Sequence, residues 1–173
     1  MAEVLPVALV QLCTPDNQAE ALDHVLPLVR EAAAGVAKLI ATPEGTNILE
    51  KNREKRLARV VTQDEDPVVA ALRGEARALG VWLLIGSVIV RGDDPGDDRA
   101  ANRSILVDPD GEVVATYDKL HVFDVDLPTG ERHRESESIR PGEKAVVART
   151  PWGGLGLTVC YDVRFPYLFR ALA

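Results

Sequence analysis

The chain has 173 residues, of which 46% are hydrophobic, and a formal net charge of −7. That is enough for one packed domain and too apolar for a disordered segment. Such an acidic balance argues against a nucleic-acid partner, and no stretch approaches the roughly 20 apolar residues of a membrane-spanning helix. The N-terminus lacks a basic region followed by an apolar one, so a cytoplasmic protein without membrane contact is expected. Its two cysteines, Cys13 and Cys160, form no disulfide framework, and no Cys/His spacing suggests zinc, so neither metal nor cofactor is expected.

In chain order, Val4 to Leu12 is a near-continuous apolar run interrupted by Gln11, which predicts a strand buried on both faces. Thr14-Pro15-Asp16-Asn17 is turn chemistry leading into a helical pattern from Gln18 to Ala34, with Gly35 as its C-terminal cap and Pro27 as a kink or break. Lys38 to Ala41 predicts a second short strand, stopped by Thr42-Pro43. Two helical stretches follow, at 49–61 and at 67–79, the second closed by Gly80. Val81 to Val90 and Arg103 to Val107 predict strands on either side of an acidic, solvated loop. Asp108-Pro109-Asp110-Gly111 is a turn signal that returns residues 112–117 as a hairpin. Trp152-Gly153-Gly154 predicts another hairpin turn before a last strand at 155–159. Helices alternating with buried strands, then a hairpin, indicate an α/β chain built on a mixed sheet.

Three predicted strands deliver an ionisable residue at their carboxyl ends, where α/β sheets meet their ligands. Glu44 follows the second strand, Lys119 follows the strand 112–117, and Cys160 follows the strand 155–159. A base, a cation and a thiol suit attack on a carbonyl carbon. Reference pKa values of about 4.3 and 8.5 make proton transfer from thiol to glutamate uphill by roughly 6 kcal/mol in water. Burial of the carboxylate and a nearby lysine would narrow that gap, the lysine by lowering the thiol's pKa. Lys119 would also stabilise an oxyanion, with the backbone N–H of Tyr161 as a second donor. Each residue also has a plain structural reading. Cys160 alone is a small buried hydrophobe, Glu44 a helix-entry carboxylate, and Lys119 a solvated edge lysine. Cys13 reads as buried and inert.

Together, Pro43-Glu44, Tyr117-Asp118-Lys119-Leu120-His121 and Val159-Cys160-Tyr161-Asp162-Val163-Arg164-Phe165-Pro166 resemble the three signatures of the nitrilase, or carbon–nitrogen hydrolase, superfamily in order and spacing. His121-Val122-Phe123-Asp124-Val125-Asp126 and Glu135-Ser136 ahead of Pro141-Gly142 bring the resemblance closest to the Nit-type amidase branch. The similarity runs along the whole chain, read as one carbon–nitrogen hydrolase domain over residues 1–173.

The resemblance implies that Cys160 is the nucleophile, Glu44 the general base and Lys119 the oxyanion stabiliser. It also implies that Glu135 is a second glutamate holding lysine and substrate, though Glu135 also reads as part of the charge run Glu131 to Glu137, with Glu137 as its rival. The implied reaction is hydrolysis of a small linear amide through a cysteinyl thioester, of the ω-amidase or deaminated glutathione amidase type. A nitrilase, a carbamoylase or a silent assembly fragment is the alternative. Arg164 is a candidate for a substrate carboxylate, or else a structural ion-pair partner. The implied fold is an α-β-β-α sandwich, commonly a homo-oligomer through helices near the nucleophile, here the helix starting near Arg164. Family members typically run on beyond a point equivalent to Ala173, so a truncated domain with an incomplete fold and an uncovered apolar face is expected. Tyr167 stands where members often carry a glutamate.

Overall fold

A computed structural model describes residues 4–173. Its centre is a five-stranded sheet in the order β1-β2-β3-β4-β5. The strands are β1 (Val7–Leu9), β2 (Leu39–Ala41), β3 (Trp82–Arg91), β4 (Ala100–Val107) and β5 (Val113–Asp118). The first three are parallel, and β4 and β5 are each antiparallel to the strand before. As a result β2, β3 and β5 end at the same sheet edge, and β4 begins there.

Helices α1 (Gln18–Ala34) and α3 (Pro67–Leu79) lie on one face, with the short α2 (Arg53–Arg59) between them in sequence. Val25 and Val29 of α1 and Val68, Leu72 and Ala76 of α3 meet Ile40, Leu83, Ile85, Val88, Ile105 and Val107 of the sheet. This helical spacing against strand alternation is the packing the periodicity called for. Asn17 and Asp66 cap the two helices, each accepting backbone N–H bonds with its side chain. Gly35 and Gly80 close them. The helix runs on through Pro27, which lies on the exposed side, where water can take the carbonyl a turn earlier that the ring leaves without a donor.

Two strand expectations need correction, and one further hairpin appears. β1 is a three-residue edge strand, not a doubly buried run from Val4 to Leu12, and its Leu9 is 82% exposed. An edge strand pairs on one side only, so an apolar run by itself does not report burial. The predicted strand 155–159 is also displaced. Strand β9 (Gly153–Gly156) pairs with β8 (Val147–Thr150) as a separate hairpin, and residues 157–159 continue as extended chain outside any ladder. Leu157 and Val159 are instead held by burial against Tyr117 on the sheet face away from the helices. A third hairpin, β6 (Asp124–Asp126) with β7 (Arg132–Arg134), was not predicted, because its residues are mostly charged. The chain closes with α4 (Pro166–Leu172), beyond a short 3₁₀ turn at Cys160–Arg164.

A bulge in β3 positions one wall of the site. Its register shifts between Ile85 and Val88, so the helix-facing residues change from odd to even numbers along the strand. The turn after β2 docks on this irregularity. Ser87 N–H donates to the Pro43 carbonyl at 3.2 Å, Thr46 N–H to the Ser87 carbonyl at 2.8 Å, and Gly45 N–H to Ser87 Oγ at 3.0 Å. Gly86 permits the approach, since a Cβ there would lie 2.0 Å from the Thr42 carbonyl oxygen.

Candidate active site

Glu44 projects from the turn pinned to the β3 bulge. Asn47 fixes the far side of that turn: its amide donates to Asp66 at 2.8 Å and to the Ile89 carbonyl at 2.9 Å, and its carbonyl oxygen accepts from Ile89 N–H at 2.9 Å. Lys119 leaves the end of β5. Its N–H donates to the Asn102 carbonyl at 2.9 Å, and its own carbonyl accepts from Gly142 N–H at 2.8 Å. Glu135 opens a 3₁₀ turn at Glu135–Glu137, directly after β7.

These three side chains converge. Lys119 Nζ lies 3.1 Å from Glu44 Oε1 and 3.0 and 2.9 Å from the two oxygens of Glu135. Phe123 N–H donates to Glu135 Oε2 at 2.5 Å, and Asn102 Nδ2 to Glu44 Oε1 at 2.8 Å. Lys119 is 2% exposed, and a buried ammonium is tolerated only when paired. Burial pushes its pKa down, but the Glu135 hydrogen bond and the charges of both glutamates outweigh that, leaving it above 10.5. Glu135, not Glu137, makes these contacts; Glu137 is exposed.

Cys160 reaches the group by a different route from the one expected. It comes not from a strand of the central sheet but from the extended segment crossing the sheet's other face. Its φ is +47°, a left-handed conformation that costs a non-glycine residue about 1–3 kcal/mol. Asp162 holds the turn: fully buried, it accepts Val159 N–H at 2.8 Å, Tyr117 Oη–H at 2.6 Å and His121 N–H at 3.1 Å, and lies 2.7 Å from His121 Nδ1. His121 in turn stacks on Phe165 at 3.6 Å. One carboxylate thus ties the segment bearing Lys119 to the turn bearing Cys160.

Glu44, Lys119, Glu135 and Cys160 line one cavity of about 510 Å³, together with Asn102, Phe123, Lys51 and Arg56. A second hollow of about 490 Å³ holds none of the four, and its Arg103 and Arg140 are already paired with Asp93, Asp118 and Asp94. Lys119 pulls the thiol's pKa down, as expected, but it does not set the net direction. Although Cys160 is exposed as a residue, partial desolvation of its thiol pushes its pKa above 9.0, the Glu44 charge and hydrogen bonding add to the rise, and the opposing pull of Lys119 does not cancel them. The resting thiol is therefore protonated near neutrality, beside a carboxylate.

The chain matches the carbon–nitrogen hydrolase family model over residues 6–173. It belongs to that family. The motifs around Glu44, Lys119 and Cys160 carried the family resemblance, and the relatives are of the Nit type. The chain is 39% identical over 168 residues to a deaminated glutathione amidase of Yersinia enterocolitica, covering 96% of this chain and 57% of the relative. It therefore spans a little over half of that protein's length. The crystal structure of Saccharomyces cerevisiae Nit3, a member of branch 10 of the nitrilase superfamily, superimposes with a TM-score of 0.79 at 27% identity, covering 100% of this chain and 65% of that one. A variant of the amidase from Nesterenkonia sp. AN1, with acrylamide added at its active-site cysteine, gives 0.77 at 29% identity, covering 95% and 61%.

Two candidates stand apart from the cluster. Tyr161 is half-buried, packed edge-on to Phe123 and Phe165 at centroid distances of 5.0 and 5.3 Å. Its N–H lies in the first turn of the 3₁₀ segment, with no carbonyl inside that segment to serve it. Arg164 is exposed and does not line the cavity, where Lys51, Arg56 and Arg134 do. Arg56 is half-buried and donates to the Glu50 carbonyl at 2.9 Å and Ser138 Oγ at 2.6 Å. Two further residues of the site, Asn102 and Asp162, have no role legible in the sequence motifs. A polar residue inside a strand buried along its whole length is the available signal for Asn102.

Proposed function

We propose that this site hydrolyses the carbon–nitrogen bond of a small linear amide, with Cys160 as nucleophile. The observation that carries the reading is a thiol on a left-handed backbone beside a carboxylate, in one cavity with a buried lysine and a second glutamate. The thiol passes its proton to Glu44 as sulfur attacks the amide carbonyl. Because the resting thiol is held above its ordinary pKa, the reaction starts from the protonated thiol and needs Glu44 as its base. Negative charge developing on the carbonyl oxygen is met by Lys119, with Tyr161 N–H as the second donor. Glu135 holds the ammonium of Lys119 with both its oxygens. Collapse of the tetrahedral adduct breaks the C–N bond, and the proton on Glu44 goes to the leaving nitrogen, releasing ammonia and a thioester. Glu44 then takes a proton from water, which attacks the thioester; the acid departs and the thiol regains its proton.

The names of the relatives support a substrate of the ω-amide or deaminated glutathione kind. Ammonia release from a panel of linear amides, nitriles and carbamoyl amino acids tests the reading. Amides turned over by the full chain and not by Cys160→Ala support it; nitrile-only or absent turnover sinks it.

For assembly, a homo-oligomer joined through α4 fits the exposed Val163, Tyr167 and Phe169 at this end of the molecule. Sedimentation of the wild type and of Tyr167→Lys tests it, a monomeric wild type counting against it. Among the described residues no helix is long and apolar enough to cross a membrane. A cytoplasmic location is a separate proposal, which fractionation of cells expressing the tagged chain checks.

A further inference from the structure

Asn102 touches three members of the cluster. Its backbone carbonyl accepts Lys119 N–H at 2.9 Å, and its side-chain amide donates to Glu44 Oε1 at 2.8 Å and, more weakly, toward Glu135 Oε1 at 3.5 Å. The orientation of the amide is set by its neighbours, since a flip would turn its carbonyl oxygen toward two carboxylates. Asn102 is 2% exposed, and its Oδ1 is buried without a donor. A buried amide with its acceptor unused is a poor element of a core. What the site uses is the donor half.

That donor falls on an oxygen already held. Glu44 Oε1 accepts from both Asn102 and Lys119, while no amide or ammonium among the described residues reaches Oε2. Two donors on one oxygen, one from β4 and one from the residue after β5, fix the rotation of the carboxylate. Lys119 alone would not, because an ammonium is a near-spherical charge that can pair with either oxygen. With Oε1 held by two donors, Oε2 is the oxygen left open to accept a proton.

We propose that Asn102 is a positioning residue: with Lys119 it pins Glu44 Oε1, leaving Oε2 as the one oxygen that exchanges protons with Cys160, the leaving nitrogen and water. This rests on the amidase reading, since it assigns an atom to the base in that reaction. The same oxygen serves each proton transfer, so the carboxylate need not rotate during turnover.

The test uses the full chain with Asn102→Ala and Asn102→Asp, the second keeping the side chain's size while lacking an N–H. Steady-state kinetics on a linear amide turned over by the wild type are expected to show kcat lowered on the order of ten- to a hundredfold, with KM within about threefold. A merely structural role would lower the melting temperature without this split. Crystal structures of the variants are expected to show the Glu44 carboxylate rotated, or bridged through both oxygens by Lys119. A kcat within about twofold of wild type, or a Glu44 carboxylate that superimposes on the wild-type one, overturns the proposal. If the wild type turns over no amide, the amidase reading fails, and the crystal comparison still decides what holds Glu44.

Discussion

The Tyr117 hydroxyl donates to Asp162 Oδ2 at 2.6 Å across 45 residues of sequence, joining the end of β5 to the turn that carries Cys160. The same hydroxyl accepts Leu120 N–H at 3.1 Å, so it also shapes the exit of the chain past Lys119. Burial and the neighbouring carboxylate hold the phenol well above its ordinary pKa, and it remains a donor at any working pH. Tyr117→Phe removes a hydrogen bond to a charged group and leaves Asp162 short of a donor, a loss of about 1.5–3 kcal/mol. Denaturant unfolding measures it, and a loss below about 0.5 kcal/mol would show that the link carries no energy.

Lys119 is the only positive charge in direct contact with both glutamates among the described residues, so its loss is felt twice. Lys119→Met is expected to cost about 3 kcal/mol, the lower end for breaking a buried pair, because Glu44 keeps 36% of its side-chain surface in water. The ammonium's pKa is higher folded than unfolded. Its contribution is therefore fully present below 10.5 and lost as pH climbs through the folded value. Thermal unfolding of wild type and Lys119→Met from neutral to strongly alkaline pH should show the difference between them shrinking at the alkaline end.

For Cys160 the sign is set by burial and by Glu44. The rate of alkylation by iodoacetamide should reach half its plateau above pH 9.0, not below it. Removing the neighbouring charge in Glu44→Gln should move that midpoint down while abolishing amide turnover. A wild-type midpoint below 9.0 would show that Lys119 dominates the thiol after all. By the same linkage, folding stability falls as pH rises from 9.0 to the folded thiol's value, because only the unfolded chain ionises freely there.

The left-handed backbone at Cys160 predicts an exchange of stability for function. Cys160→Gly and Cys160→Ala both remove the nucleophile, but only glycine adopts a φ of +47° without strain. The glycine variant should unfold about 1 kcal/mol later than the alanine variant, even after its greater chain entropy is counted. Equal stabilities would mean the turn relaxes when the thiol is gone.

Gly86→Ala tests the docking of the Glu44 turn. The new Cβ would meet the Thr42 oxygen at 2.0 Å and backbone atoms of Pro43 at 2.8 Å, and backbone cannot step aside as a side-chain tip can. A loss of more than about 3 kcal/mol is expected, with amide turnover reduced further than the folded fraction explains. A variant that melts with the wild type would place the turn's stability elsewhere.

The sequence alone determined the α/β class, the helices over residues 18–34 and 67–79, and the family, because helix periodicity, capping residues and short motifs are local properties of the chain. It also singled out Glu44, Lys119, Glu135 and Cys160 as candidates, since each sits in a motif of fixed order. Tertiary structure decided how they meet. That Cys160 approaches from a segment outside the central sheet follows from burial of Leu157 and Val159 against Tyr117, a contact with no local signature. The roles of Asn102 and Asp162 as junctions, and the upward shift of the thiol, likewise depend on which charges and donors the fold packs within hydrogen-bond reach. Desolvation and pairing are properties of three-dimensional neighbours, and only the folded chain sets them.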